Sequence, residues 1–548
     1  MDNQRLVLLL VFAFSVVMLW DAWQKQVQTK PAAVASVQEP GVPTPTVTPA
    51  PTPAAPPPVA PAGTSAPVSG EVPKATIMTD LFVAQVSAQG GDIVRLDLIQ
   101  HKATGDKTKP FPLLDSGEHH VYLAQSGLIG DGLPNHKTIF RLQPGNYELK
   151  AGEDALVLRL EGPEAGGVKI AKLLTFRRGS YVIEVAYEAV NTRQTPLLAH
   201  AYFQLTRDGK APDAETKMLN TFTGPAVFSE KEKFQKITFE EVDKGKAKFV
   251  AKTDNGWIGI VQHYFVVAWL PAAGSEREFF VRKVTSDLYS AGVIQAITVA
   301  PGATTRFSIP LYAGPQEQEK LAKLAPGLDL VVDYGWLTVI AAPIFWVLEW
   351  LHGLVGNWGW AIILLTVIIK LIFFPLSAAS YKSMARMRVV TPKMMKIKEM
   401  YGNDRNRMNQ EMMELYKKEK INPLGGCLPI VVQIPVFIAL YWVLLASVEM
   451  RDAPWILWIT DLSSKDPFFV LPLVMGVTMF AQTKLNPTPP DPIQAKVMLA
   501  MPVVFTAMFL FFPSGLVLYW TVNNLLSIAQ QWQITRMIEG GGKARAAS

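Results

Sequence analysis

Residues 358–375 read WGWAIILLTVIIKLIFFP, and residues 376–422 continue LSAASYKSMARMRVVTPKMMKIKEMYGNDRNRMNQEMMELYKKEKIN. The first stretch is apolar with one charge, Lys370, whereas the second holds eleven Lys and Arg against five acids. An apolar run of about 20 residues suits a helix that crosses a bilayer. A basic segment flanking such a run stays on the cytoplasmic side. Four further runs, 424–448, 468–482, 497–512 and 516–532, carry no charged residue. Extended into their flanks, the five runs predict spans at 357–375, 423–448, 468–483, 494–512 and 516–534. The loop 449–467 holds two basic residues against four acids and is expected on the outer side.

Working outward, Leu6 to Trp20 is an uncharged apolar run after Arg5. A signal peptide would read similarly, but the A-x-A-like triplet Ala33-Val34-Ala35 lies too far downstream for ordinary cleavage, so residues 1–23 read as a retained anchor. Residues 24–73 follow as a tether, with thirteen prolines between Pro31 and Pro73, a composition that favours extended polyproline backbone. From 74 to 326 the pattern changes to period-two alternation. Leu81 to Val86, the Gly90-Gly91 turn, Ile93 to Leu98, Tyr181 to Tyr187 and Phe307 to Tyr312 predict closely spaced strands and one β-sandwich, closed by a short helix over Gln316 to Ala325.

Trp336 to His352 is nearly as apolar as the spans. Six spans with the N-terminus inside put the β domain outside, the basic segment 376–422 inside, the loop 484–493 inside, the turn 513–515 outside and the tail 535–548 inside. A seventh span would put the β domain and the basic segment on one side, against either the anchor orientation or the charge rule. Residues 336–353, with Pro343, Trp346, Glu349 and Trp350, are therefore expected as an interfacial amphipathic helix on the outer leaflet. The fold class is a polytopic α-helical membrane protein of six transmembrane helices with a large all-β sandwich domain.

Composition narrows the chemistry. Of 548 residues, 49% are hydrophobic and 18% charged, which excludes a single soluble domain. One cysteine, Cys427, excludes an internal disulfide framework and Cys-based metal clusters, and the seven histidines show no HExxH spacing, so no metal or other cofactor is expected. Cys427 itself reads as a small packed residue in a turn. The net charge of +6 equals the local excess of 376–422, so the rest is balanced and DNA binding is not expected. No nucleophile elbow, P-loop or dinucleotide fingerprint appears.

The polar residues of the spans carry the functional signal. Lys370 lies about four residues, roughly 6 Å, past the middle of its span. A cation there costs about 2.5–3.5 kcal/mol on insertion, so it marks a function unless it snorkels to the cytoplasmic headgroups. Thr366 stands one turn before it on the same face. Gln433 sits mid-span between Pro429 and Pro435, and Trp520, Asn523, Asn524, Ser527 and Gln531 form a stripe on the last span. Such stripes face one another or water, because lipid cannot satisfy them. Interhelical hydrogen bonding at about 0.6 kcal/mol per contact is the plainer explanation. The five C-terminal spans contain no Asp or Glu to pair with Lys370, and this favours a hydrated intramembrane cavity. The missing acid also disfavours proton-coupled transport. The segment 376–422 reads as two helices, 377–400 with a possible kink at Thr391-Pro392 and 405–420, joined by Gly402-Asn403-Asp404, and it holds eight of the nineteen methionines. Most of these suit a seam between the helices; Met384, Met387, Met408 and Met412 are candidates for an adaptable receiving surface. Its basic residues set topology and could add contact with anionic lipid headgroups or a ribosome.

The run Asn422-Pro-Leu-Gly-Gly-Cys-Leu-Pro429 with Gln433 and Pro435, the stretch Gly476-Val-Thr-Met-Phe480 and Phe512-Pro-Ser-Gly-Leu-Val-Leu-Tyr519 closely resemble the YidC insertases of Gram-negative inner membranes. The similarity runs from about Gly335 to Gln533, and the anchor, tether and β domain resemble the Gram-negative branch. The resemblance implies a multi-pass inner-membrane insertase and folding chaperone without covalent catalysis, therefore not an enzyme. Both termini would be cytoplasmic and the β domain periplasmic. Its clients would be newly made inner-membrane proteins, handled alone or beside the Sec translocon. It further implies a groove open to cytoplasm and lipid, with a cation, usually arginine, at the position of Lys370 and with Thr366 as a groove residue. Lysine keeps the charge but loses the two-pronged hydrogen bonding of arginine. Where family members often have two tyrosines, this chain has Tyr519 and Trp520; with Phe437 they would form a slide for client apolar residues. A short, mildly basic tail carries over no strong ribosome contact. A transporter, a membrane enzyme and a scaffold in which Lys370 only snorkels are the rival readings; no internal repeat and no nucleophile set favours the first two.

Overall fold

The computed structural model describes residues 42–45, 72–103, 106–117, 120–210, 221–402, 404–419, 428–486 and 492–546. The expected anchor 1–23, nearly all of the tether and the turn containing Cys427 lie outside the described residues. The chain divides into two compact units, residues 1–262 with 266–314, and residues 263–265 with 315–548.

The first unit is built of strands because its sequence alternates. Lys74–Met78, for example, buries Ala75 and Ile77 on one face. A ten-stranded sheet runs in the order Lys252–Thr253, Arg277–Thr285, Leu288–Val299, Leu197–Asp208, Val121–Ile129, Pro110–Ser116, Ile93–Lys102, Phe82–Ser87, Lys74–Met78, Gly145–Glu148, the last pair parallel. An eight-stranded sheet runs Lys233–Lys236, Gly224–Ser229, Trp257–Val261, Phe265–Trp269, Thr304–Pro315, Val182–Asn191, Val168–Arg177, Ala155–Glu161. The sheets face each other, as Phe203 of the first meets Trp269 of the second at 5.2 Å between ring centroids and Phe82 meets Phe176 at 6.1 Å. The expected β-sandwich is thus present. A short helix the sequence reading did not foresee, α1 (Phe239–Asp243), starts on a capping box in which Thr238 and Glu241 bond reciprocally.

The second unit is helical. After α2 (Gln318–Leu324) come α3 (Thr338–Val355), α4 (Trp358–Ile372), α5 (Phe374–Tyr401), α6 (Arg405–Lys418), α7 (Leu428–Ala446), α8 (Val470–Leu485), α9 (Pro492–Phe509) and α10 (Ser514–Ala546). Gly356 takes a left-handed φ of 65° and donates to the His352 carbonyl at 2.7 Å, ending α3; Asn357 caps α4 by accepting from the Trp360 N–H at 3.2 Å. Pro375, which has no N–H to donate, stands in the first turn of α5, and the chain bends by 66° between α4 and α5. Asp404 caps α6 by accepting from the N–H groups of Asn406 and Arg407, each at 3.1 Å.

The helix read over 377–400, with Pro392 inside it, runs as one element to Tyr401. The last helix continues past 534 to Ala546. The helix expected at 336–353 is α3, which buries Ala341, Phe345, Leu348 and Leu351 and turns Val339, Trp346, Trp350 and Leu354 outward. Together with the turn before it, Gly335–Val355 is long and apolar enough to cross a membrane by length and composition, so a surface placement rests on charge distribution alone. The bent pair Trp358–Ile372 and Phe374–Met384 passes the same test jointly, while Gln433–Ala446, Val470–Leu485 and Ala495–Phe509 are shorter apolar helices.

Candidate functional site

Polar side chains of four helices meet α10, among them Lys370 and Gln433, which the sequence singled out. Lys370 leaves α4 one turn after Thr366, and both are buried, Lys370 with 8% of its surface exposed. The Lys370 Nζ donates to the Ser527 hydroxyl at 2.7 Å, and among the described residues no carboxylate faces it. Ser527 in turn donates to the carbonyl of Asn523 at 2.8 Å, and the Tyr381 side chain of α5 bonds to the same hydroxyl. On α7, Gln433 Nε2 donates to the Tyr519 hydroxyl at 2.6 Å. Asn524 Nδ2 reaches Thr478 Oγ1 of α8 at 3.4 Å, and Gln531 Nε2 donates to the Leu485 carbonyl and to Asn486 Oδ1, each at 3.1 Å.

An aromatic group continues this polar line. Phe437 packs against Trp520 at 4.5 Å, edge to face, and against Tyr519 at 6.2 Å; Phe505 and Phe509 complete the surround of Trp520. Trp520 Nε1 and Asn523 Oδ1, one turn apart, are buried without a hydrogen-bond partner. Each such group costs about 1–3 kcal/mol unless something supplies the missing bond.

Other expected residues fall differently. Thr366 spends its donor on the Ile362 carbonyl at 2.7 Å and is fully buried, so it offers only acceptor capacity. Met387 and Met412 are half-buried in the seam of α5 and α6 against Val390 and Met394, since two apposed helices bury an apolar stripe. Met384 and Met408 are half-buried, and the methionines that face outward are Met395, Met400 and Met413. Tyr381 and Thr478 were not foreseen. Ser377, Ser380 and Tyr381 share one face of α5 at i, i+3, i+4 spacing, a visible signal in a segment read only for its charge. Among the described residues no group of three or more His, Cys, Asp or Glu side chains could hold a metal ion.

A sandwich domain joined in one chain to an apolar helical unit, with a buried cation at a helix junction, is the build of a membrane protein with a large domain beside the bilayer. Residues 74–347 match the family model of the YidC periplasmic domain, and residues 350–541 match that of the 60Kd inner membrane protein. The chain is 65% identical over 551 residues to the membrane protein insertase YidC of Aromatoleum aromaticum, covering 98% of each, and 58% identical to that of Dechloromonas aromatica, covering 99% of each. It is also similar to a solved active YidC insertase with its first transmembrane domain resolved, at 18% identity and a TM-score of 0.40, over 84% of this chain and 94% of that one. The chain belongs to the YidC family of membrane protein insertases. It is an inner-membrane protein with a periplasmic β-sandwich domain, and it acts on inner-membrane client proteins.

Proposed function

We propose that the protein inserts clients by a non-covalent route in which the junction of α4, α5, α7 and α10 is a hydrated groove open to cytoplasm and lipid. A polar tail or hairpin of the client enters from the cytoplasm, attracted by Lys370, while client apolar residues pass along Phe437, Tyr519 and Trp520 into lipid. Partition of apolar surface, at about 25 cal/mol per Å², drives completion, and the groove lowers the barrier for the polar part by keeping it solvated. The observation that carries this reading is the Lys370 side chain, buried, with its Nζ bonded to a neutral hydroxyl and no carboxylate facing it among the described residues. A buried amine with no opposite charge facing it is costly to keep charged in a dry site, which favours a site that water or a client can reach. The orphan Trp520 Nε1–H and Asn523 Oδ1 support it, because a passing polypeptide offers both an acceptor and a donor.

The reading includes six spans with both termini in the cytoplasm, α3 on the outer leaflet, α5 and α6 receiving clients beside anionic headgroups, chaperone action on inserted clients, and work alone or with the Sec translocon. A contribution from the ribosome is smaller. The test places a photo-crosslinking residue at Asn523 or Gln433 and stalls a single-span client during insertion into vesicles. Adducts between these positions and the client's polar tail are expected. Adducts formed only with lipid contradict the groove.

A further inference from the structure

We propose that Ser527 is the positioning residue of the insertion groove: its hydroxyl holds the Lys370 ammonium at the meeting point of α4, α5 and α10 and yields it to a client's carboxylate. The inference rests on the role of Lys370 proposed above. A serine hydroxyl has one proton to donate and two positions at which to accept. Ser527 commits the proton to the Asn523 carbonyl at 2.8 Å, four residues back on its own helix. That fixes the hydroxyl, leaving its acceptor side to Lys370 Nζ at 2.7 Å, with the Tyr381 side chain also within bonding reach of it. All three side chains are largely buried, so bulk water is a poor competitor for these bonds.

The chemistry of the partner determines what the cation can do next. A lysine carries about 2 kcal/mol of rotamer entropy on its long stem, and a fixed acceptor removes that cost before the client arrives. An aspartate or glutamate in place of Ser527 would hold the ammonium by a charge-assisted bond and compete with an acidic client tail on equal terms. A neutral hydroxyl binds more weakly than a carboxylate, so an incoming carboxylate displaces it. The ammonium retains two further donors through which a client can engage before the serine lets go. The helical stripe already contained Ser527 by its spacing. The hydrogen bonds distinguish it from Asn524 and Gln531, whose bonds run to α8 and the segment after it.

The test uses the full-length protein in vesicles, with Ser527→Ala, Ser527→Cys, Ser527→Thr and Lys370→Ala. Two quantities are read: the rate at which a small acetylating reagent modifies Lys370, followed by mass spectrometry, and insertion of a single-span client with an acidic N-tail. Loss of the serine acceptor is expected to raise the modification rate roughly three- to tenfold and lower insertion by a similar factor, the worth of one hydrogen bond to a charge in this setting. Ser527→Cys, which keeps the volume but accepts weakly, should fall on the same side as alanine, and Ser527→Thr should restore both readouts. Wild-type modification rates and wild-type insertion in both the alanine and cysteine variants would overturn the proposal, and the cysteine variant alone decides should alanine lose the fold. If those two match wild type while Lys370→Ala fails to insert, only the positioning role is wrong. If Lys370→Ala inserts normally, the groove charge itself is wrong.

Discussion

Among the described residues each unit buries one lysine, and the two are treated oppositely. Lys172, in the strand Val168–Arg177 of the sandwich, donates to the Gly90 carbonyl at 2.8 Å, stands 3.9 Å from Asp92 and lies 5.7 Å from the centre of the Tyr187 ring. Asp92 is in turn bonded by Gln125 at 2.8 Å, and Gln125 accepts from Thr206 at 2.8 Å. The backbone is shaped around this pair. A Cβ on Gly91, which has a φ of +61°, would stand 2.9 Å from Lys172 Cδ. Lys370 has a serine hydroxyl instead. A compensated cation fixes a core; one left to a neutral partner keeps most of its attraction for something not yet bound. On the proposed function, the first is a structural charge and the second a working one.

The largest effect expected is on the compensated side. Lys172→Ala leaves Asp92 buried without its cation and should cost about 3–5 kcal/mol of stability, read by denaturant unfolding of the full chain, with much of it regained in Lys172→Met/Asp92→Asn. A loss under 1 kcal/mol would break the comparison at its structural end. Next in size is a pH response of opposite sign in the two units. Glu449, in the turn Val448–Met450 that follows α7, is pushed up to about 8 by burial, with Glu317 and Glu349 adding to the rise and Lys320 opposing it; the Tyr334 phenol is shifted upward nearby. A raised carboxyl contributes stability that is present in full below about pH 4.5 and is lost as pH rises through 8, so Glu449→Gln should flatten that window by up to about 4 kcal/mol.

His136, in the sandwich, is pushed down to about 4 by burial and by Lys137, Arg282 and Lys172, and its ring nitrogen meets the Tyr202 hydroxyl at 2.5 Å. Its contribution is present above about pH 6.5 and lost as pH falls through 4. The difference in unfolding free energy between wild type and His136→Asn should therefore change by about 2 kcal/mol over that range, after allowance for its partial exposure. A flat difference curve would mean that the imidazole is not held neutral. The smallest effect belongs to an exposed cation. Lys393 bonds Glu419 at 2.6 Å with 61% of its side chain exposed, and Lys393→Ala should cost less than about 0.5 kcal/mol.

How much of this could be read from the sequence depended on the range of the interaction. The sandwich and the helices of the second unit are written in local periodicity, and the α5–α6 turn in one capping aspartate, Asp404. Lys370 was legible because one charge in an apolar run is conspicuous, and the α10 stripe because helical spacing is regular. The use of the Thr366 donor was not, since bonding back to Ile362 is a choice of rotamer and not of residue type. Met387, Val390 and Met394 stand at i, i+3, i+7, a stripe that marks the seam once partners are counted rather than methionines. The pairing of Lys172 with Asp92 joins a strand of one sheet to a turn of the other, 80 residues apart, and no local pattern encodes it.

The central claim is that the charge of Lys370 is there to work and not to hold the fold. Insertion of a single-span client with an acidic N-tail, into vesicles containing wild-type, Lys370→Ala or Lys370→Arg protein at matched thermal stability, tests it directly. The account predicts that alanine loses at least about tenfold in insertion rate while unfolding at nearly the wild-type temperature, and that arginine inserts. Alanine inserting as fast as wild type would contradict it.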